Sequence, residues 1–234
     1  MTRTEVEKPA ETEIAGRSPR QIAWARFKRN RVGVVAAFVS IFLISLSIFA
    51  PWVCKLVGVD PDTLNLQYLD SSGIPTLPNG GISLEHPLGL IPGTGRDLLA
   101  QLLYGSRISF MIAFLTTVST LFVGLMVGIV GGYFRGRVDD TLGRLTDFLL
   151  AFPSFFMIVA LTMPMVDRIK RMGVTEDNAA RIIFLIMFLT FFGWPGFSRL
   201  IRSQVLSLRE KDFITAAQAM GASRVRIIFK ELLP

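Results

Sequence analysis

Few side chains in this sequence of 234 residues can do acid–base or metal chemistry. It has one histidine, His86, and one cysteine, Cys54, so neither a Cys/His zinc cluster nor an intrachain disulfide can form. No metal and no cofactor is expected. Asp139, Asp140 and Arg144 lie together in the stretch GRVDDTLGR, with Asp147 following. Pairing among the first three, or with Arg135 and Arg137, reads as surface salt-bridge material of little energetic worth. Asp147 lies deeper and is costlier to bury, which calls for a partner such as Arg144 and a structural ion pair rather than a proton relay. His86, before Pro87, reads as a turn or helix-start residue rather than a ligand or a pH sensor. Gly93 and Gly95 begin a dinucleotide-like GxGxxG, but Leu98 stands at the third glycine and no strand precedes it. No GxxxxGK[ST] occurs, so the chain is not itself an ATPase. The expectation is a protein with no catalytic residue, not an enzyme.

The elements that carry these residues are apolar. Hydrophobic residues make up 51% and charged residues 18% of the sequence, with a mean hydropathy of +0.50, which points to a polytopic membrane protein. The net charge of +7 does not signal nucleic-acid binding, because the basic residues sit between apolar runs rather than in one stripe. A helical span needs roughly 20 residues. Four segments are predicted to span: 32–53, 108–130, 145–166 with Pro153 bending it, and the shorter 182–197, disturbed by Trp194-Pro195-Gly196. Residues 1–31 read as a cytoplasmic tail rather than a signal peptide. With the N-terminus inside, 18 of the 25 Lys and Arg residues fall on the cytoplasmic side, as the positive-inside rule asks. The outer segment 54–107 begins as irregular loop. It ends in a stretch, 96–107, with Leu98, Leu99, Leu102 and Leu103 on one face, predicted to be an interfacial helix with Asp97 at its positive end.

Within the spans, Gly124, Gly128 and Gly132 form a small-xxx-small series suited to close helix packing, with a gating hinge as the weaker reading. Phe152-Pro153-Ser154 interrupts the third span. A carbonyl freed by Pro153 calls for Ser154 or a neighbouring helix as donor, and such breaks either line a pathway or only shape packing.

Residues 198–234 are polar and basic yet follow directly on an apolar run. Small Ala216 and Ala217 permit close approach to a partner, and Gly221 suits a φ > 0 reversal between two short helices. On chemistry alone two readings stand equal. One is a docking element for a soluble partner; the other is a helix resting on the inner leaflet through Arg224, Arg226 and Lys230.

The segment Thr215-Ala216-Ala217, Gly221 and Leu233-Pro234 resembles the EAA loop of bacterial ABC importer permeases. From His86 onward the runs HPLGLIPGTGRDLLAQLLYGSRISF and GGYFRGRVDDTLGRLTDFLLAFPSFF, then the WPG and EAA-like segments, are similar to the dipeptide/oligopeptide/nickel permease group. RFKRNRVGVVAAFVSIFLISLSIFAPWV resembles the extra first helix of its C-type subunit. The resemblance implies an all-α MetI-like permease fold in a bacterial inner membrane. It implies a coupling loop of Asp212, Thr215, Ala216, Ala217, Met220, Gly221 and Ala222 that receives cytoplasmic ABC ATPase subunits. A second homologous permease and an extracytoplasmic solute-binding protein are implied as further partners, alongside the lipid bilayer. Two positions depart from the pattern: Thr215 replaces the leading acid, whose role passes to Asp212 if it is kept, and Glu231 stands two before Leu233 in place of Ile. The family core has two further helices after this loop, so the expectation is a fragment rather than a short permease. An ATP-independent channel or carrier is the alternative, disfavoured because spans other than the one holding Asp147 lack acidic residues. A non-transporting anchor subunit is a third.

Overall fold

The structure, a computed structural model, describes residues 19–134 and 136–232. Most of the predicted tail, Arg135, Leu233 and Pro234 lie outside the described residues. The chain divides into two compact units, up to Tyr104 and from Gly105. Both are helical, and among the described residues there are two isolated β-bridges but no strand.

In the first unit, α1 (Pro19–Arg29) and α2 (Arg31–Ile48) meet at an elbow on Asn30. The Asn30 side chain caps α2, accepting from the Gly33 N–H at 3.0 Å. Mean hydropathy over α2 reaches 2.2, enough to cross a membrane. The predicted span 32–53 is not one helix: α3 (Ala50–Val57) starts anew after Phe49. Pro51 is the cause, because it has no N–H to continue the ladder and fits only the first turn of a helix. Helix α3 ends on Gly58 at φ +84° and packs Ala50 and Cys54 against Ala100 and Leu103. Burial, assisted by the carboxylates of Asp97 and Asp60, pushes the Cys54 thiol up from its ordinary value.

The predicted interfacial helix 96–107 is the opening of one continuous helix, α4 (Leu98–Phe134), of 37 residues. Its start is fixed by Asp97, 1% exposed, whose Oδ1 accepts from the Ala100 N–H at 2.9 Å. Asp97 Oδ2 in turn meets His86 Nδ1 at 2.9 Å, and the Tyr68 ring stands edge-on to the imidazole at 5.6 Å. His86 thus takes part in the helix start through the cap, and its carbonyl also accepts from the Gly89 N–H at 2.9 Å to close a turn over Pro87 and Leu88.

The second unit holds α5 (Arg137–Ala151), α6 (Ser154–Arg171), α7 (Asp177–Arg209) and α8 (Asp212–Ala219). The predicted third span 145–166 is two helices, α5 and α6, bent by 82° at Phe152-Pro153. Pro153 removes the N–H that would reach Leu149, and the Phe152 N–H takes the Leu149 carbonyl instead at 3.4 Å. Ser154 plays no part in that repair. The predicted 182–197 span lies within α7, whose 33 residues run through Pro195 without a break. Helices α6 and α7 share a core of Val166, Ala180, Phe184 and Phe188. Among the described residues three helices are thus long and apolar enough to cross a membrane, and the bent pair is a fourth if taken as one span.

Helices α4 and α7 approach each other over glycines. A Cβ on Gly124 would lie 2.8 Å from Phe197 Cδ1, and one on Gly132 2.8 Å from Val205 Cβ. At Gly128 it would meet Ile201 Cβ and the Ser198 carbonyl oxygen, each at 2.7 Å. Those contacts are shorter than real Cβ atoms show, and three of the four neighbours, the branched Ile201 and Val205 Cβ atoms and the Ser198 backbone oxygen, cannot swing away.

Two outcomes are expected. Gly128→Leu lowers the melting temperature of the detergent-solubilised protein, with a cost of about 1–3 kcal/mol from overpacking. Gly143→Ala, where an added Cβ meets nothing within 4 Å, leaves it unchanged or gains about 0.5–1 kcal/mol in helix α5. Second, Cys54 is 3% exposed with little thiolate at neutral pH. A membrane-impermeant maleimide should label it far more slowly in the folded chain than after denaturation, the rate rising with pH.

Candidate functional site: the helix–turn element after α7

The sequence that follows α7 folds back on the ends of α4 and α7. Helix α8 places Ile214 and Ala217 on one face, three residues apart, and both are buried. After the turn, Ile227 arrives beside them. Ile214 (0% exposed) and Ile227 (1%) close a core with Ile129 and Tyr133 of α4 and Val205 of α7. Polar ties reinforce it: Arg209 Nη1 donates to the Tyr133 carbonyl at 2.7 Å, and its guanidinium sits 5.7 Å from the Tyr133 ring centre.

The turn has the hydrogen bonds of a Schellman cap. The Ala222 N–H reaches back to the Ala217 carbonyl at 3.0 Å and the Gly221 N–H to that of Gln218 at 2.9 Å. Gly221 has φ +81°, and no atom would obstruct a Cβ there. Backbone conformation alone therefore asks for glycine at 221. Half-buried Ala222 packs into the same core. Ser223 then caps the next turn, its Oγ accepting from the Arg226 N–H at 3.3 Å. The final turn of the described chain, Ile227–Leu232, is a π-helix.

The structure separates the seven residues expected in the loop. Asp212, Thr215, Ala216, Met220 and Gly221 are exposed, whereas Ala217 faces inward at 6%. Phe213, Ala216 and Met220, spaced i, i+3, i+7, share the outer side of α8, with Phe213 46% and Met220 82% exposed. Val225 and Phe229 add exposed apolar surface beyond the turn. Phe213 and the buttress Ile214–Ile227 were not anticipated from sequence. The i, i+3 spacing of Ile214 and Ala217 is the signal that marks the inner face.

Ion pairing on the neighbouring helices differs from the sequence expectation. Asp147 pairs with Arg199 of α7, not with Arg144. Asp139 is held by Arg202 in a two-point contact, with Nη2 to Oδ2 at 2.7 Å. Its side chain is 14% exposed, so this is no loose surface pair. Removing one partner of so enclosed a bidentate contact leaves a charge without compensation. Helix α5 thereby presents carboxylates eight residues apart to guanidiniums three apart on α7. They line an open cleft of ≈ 540 Å³ that also reaches Gly128 and Gly131. Phe152, Pro153 and Ser154 are exposed at the α5–α6 break, away from this cleft.

Among the described residues no group of three His, Cys, Asp or Glu is placed to hold a metal. The arrangement offers a binding face and a fixed turn rather than a reacting group.

Comparison with known proteins matches this architecture. Residues 122–234 match the family described as binding-protein-dependent transport system inner membrane component. Residues 18–71 match the N-terminal TM domain of oligopeptide transport permease C. The chain is 36% identical over 223 residues to the oligopeptide transport system permease protein OppC of Mycobacterium tuberculosis, covering 95% of this chain and 68% of that protein. It is 31% identical over 227 residues to the dipeptide transport system permease protein DppC of Alkalihalophilus pseudofirmus, covering 97% and 66%. To the glutathione transport system permease protein GsiD of Pectobacterium atrosepticum it is 29% identical over 218 residues, covering 93% and 64%. The chain spans about two thirds of the length of these relatives. With its glycine-packed helices and buttressed loop, it belongs to the family of binding-protein-dependent transport system inner membrane components.

Proposed function

We propose that this chain is a pathway-forming permease subunit of an ATP-driven importer for peptides or a similar small solute, coupled to a separate ATPase through α8 and its turn. The observation that carries the reading is the exposed apolar strip of Phe213, Ala216 and the capping Met220, beside the buried face that Ile214 locks to α4 and α7. A face that only had to stay in water would not present a Phe and a Met of this exposure on an element so firmly backed. The permease names of the relatives support the peptide class.

On this reading two such permeases enclose the pathway in a bacterial inner membrane, with α8 and the N-terminus on the cytoplasmic side. A solute-binding protein delivers cargo from the other side. ATP hydrolysis takes place in the partner, whose surface receives α8 and the turn. Gly124, Gly128 and Gly132 hold α4 on α7, and the Phe152-Pro153-Ser154 break lines the pathway. The competing reading, a helix lying on lipid through Arg224, Arg226 and Lys230, places the cations at the contact instead of Phe213 and Met220.

The experiment uses the permease assembled with its partner subunits. Gly221→Val should force strain of about 1–3 kcal/mol at a positive φ and abolish ATPase co-purification and uptake, while membrane insertion persists. Gly221→Asn, which tolerates that conformation, should retain both. Arg226→Ala should have little effect. Ala217 is unsuitable as a contact probe because its substitution disturbs the internal core. If Gly221→Val keeps ATPase and uptake while Arg226→Ala loses membrane association of the element, the coupling reading is wrong.

A further inference from the structure

The most strongly basic stretch of the described chain is the elbow at the start of the first unit. From Pro19 to Val59 there is no acidic residue, yet Arg20, Arg26, Lys28, Arg29 and Arg31 fall within twelve positions. Side chains from Arg20 to Asn30 are exposed. Trp24 stacks on Phe27 with ring centres 5.6 Å apart, and the Lys28 ammonium lies 5.3 Å from the Trp24 ring centre. An interfacial Trp beside snorkelling cations is the composition found where a chain crosses from water into lipid headgroups. One residue after α1, the candidate membrane span α2 begins, which puts the elbow at headgroup level.

The two sides of α1 differ. Ile22, Ala25, Arg26 and Arg29 follow i, i+3, i+4, i+7 spacing and, with Asn30, line an open groove of ≈ 590 Å³. Arg20, Trp24, Phe27 and Lys28 lie on the other side of the helix. In the groove two guanidiniums stand one turn apart over an apolar floor, and among the described residues of α1 and α2 no carboxylate faces them. A planar guanidinium donates two parallel hydrogen bonds to a phosphate, which makes such a pair a phosphate receptor.

We propose that this elbow groove binds the phosphodiester headgroup of an anionic phospholipid, with Arg26 and Arg29 on the phosphate and Ile22 and Ala25 against the glycerol and upper acyl chain. Continuity with a span and the apolar floor select a lipid over a soluble anion. The site rests on α2 crossing a membrane and is independent of the coupling role of α8.

The test places the full chain in phosphatidylcholine vesicles carrying equal fractions of brominated phosphatidylglycerol or brominated phosphatidylcholine. Trp24 quenching is read as the difference between the wild-type chain and Trp24→Phe. Stronger quenching by the phosphatidylglycerol probe is expected, and Arg26→Gln with Arg29→Gln should reduce that preference by about tenfold or more. Arg20→Gln with Lys28→Gln should retain most of it. An equal loss in both double variants means diffuse attraction to the surface and overturns the groove. Displacement by millimolar glycerol phosphate to the same extent means a soluble-anion site and overturns the lipid assignment. A preference that emerges only when Glu5, Glu7, Glu11 and Glu13 are changed to Gln means that the chain's own acidic stretch is the occupant, which also overturns it.

Discussion

The close approach of α4 and α7 over Gly124, Gly128 and Gly132 is the constraint on which the second unit depends. Without those three missing side chains, Phe197, Ile201 and Val205 have nowhere to sit, and the ends of the two helices separate. The core under α8 is built from those same ends: Ile129 and Tyr133 on one helix, Val205 on the other. The cleft with its two Asp–Arg pairs also draws one wall from Gly128 and Gly131. Helix packing in lipid lacks the hydrophobic drive available in water, so backbone proximity of this kind carries a large share of association.

That dependence gives the coupling proposal its mechanical content. Helix α7 is unbroken from Asp177 to Arg209, so the half that packs on Gly124 and the half that supports α8 are one rod. On the proposed function a push on Phe213 or Met220 is received by Ile214 and Ile227, passed to Val205, and borne along α7, which stays helical through Gly193, Pro195 and Gly196. The Arg202–Asp139 and Arg199–Asp147 pairs attach α5 to the same rod and carry displacement towards the break at Pro153. On the proposed function this is how a docking event on α8 reaches the helices around the pathway.

Much of this was legible in the sequence, for identifiable reasons. Uncharged runs of span length show in one dimension, and so does the need for a positive φ at Gly221, because both are local properties. Helix continuity was less so. The composition of 96–107 is amphipathic, but nothing in it ends a helix, and α4 continues straight through. Three prolines look alike in sequence and behave differently. Pro51 and Pro153 end helices, whereas Pro195, fully buried against neighbours in α7, does not. Partners across helices were the least readable. Asp139 finds Arg202 sixty-three residues away because of the register of α5 on α7, which no spacing within either segment encodes. Ala217 shows the same limit: small residues suit both a docking surface and a tight core, and only the fold assigns this one to the core.

On the proposed function the outer face of α8 contacts a cytoplasmic ATPase. The most direct measurement is site-specific photo-cross-linking in the assembled transporter, with the probe at Met220 or Phe213 and controls at Met172, 79% exposed just after α6, and at Leu56, 89% exposed in the first unit. An ATPase adduct is expected from Met220 and Phe213 and none from either control. Adducts from Met220 and Phe213 that contain only lipid, in a transporter that is otherwise active, would contradict it.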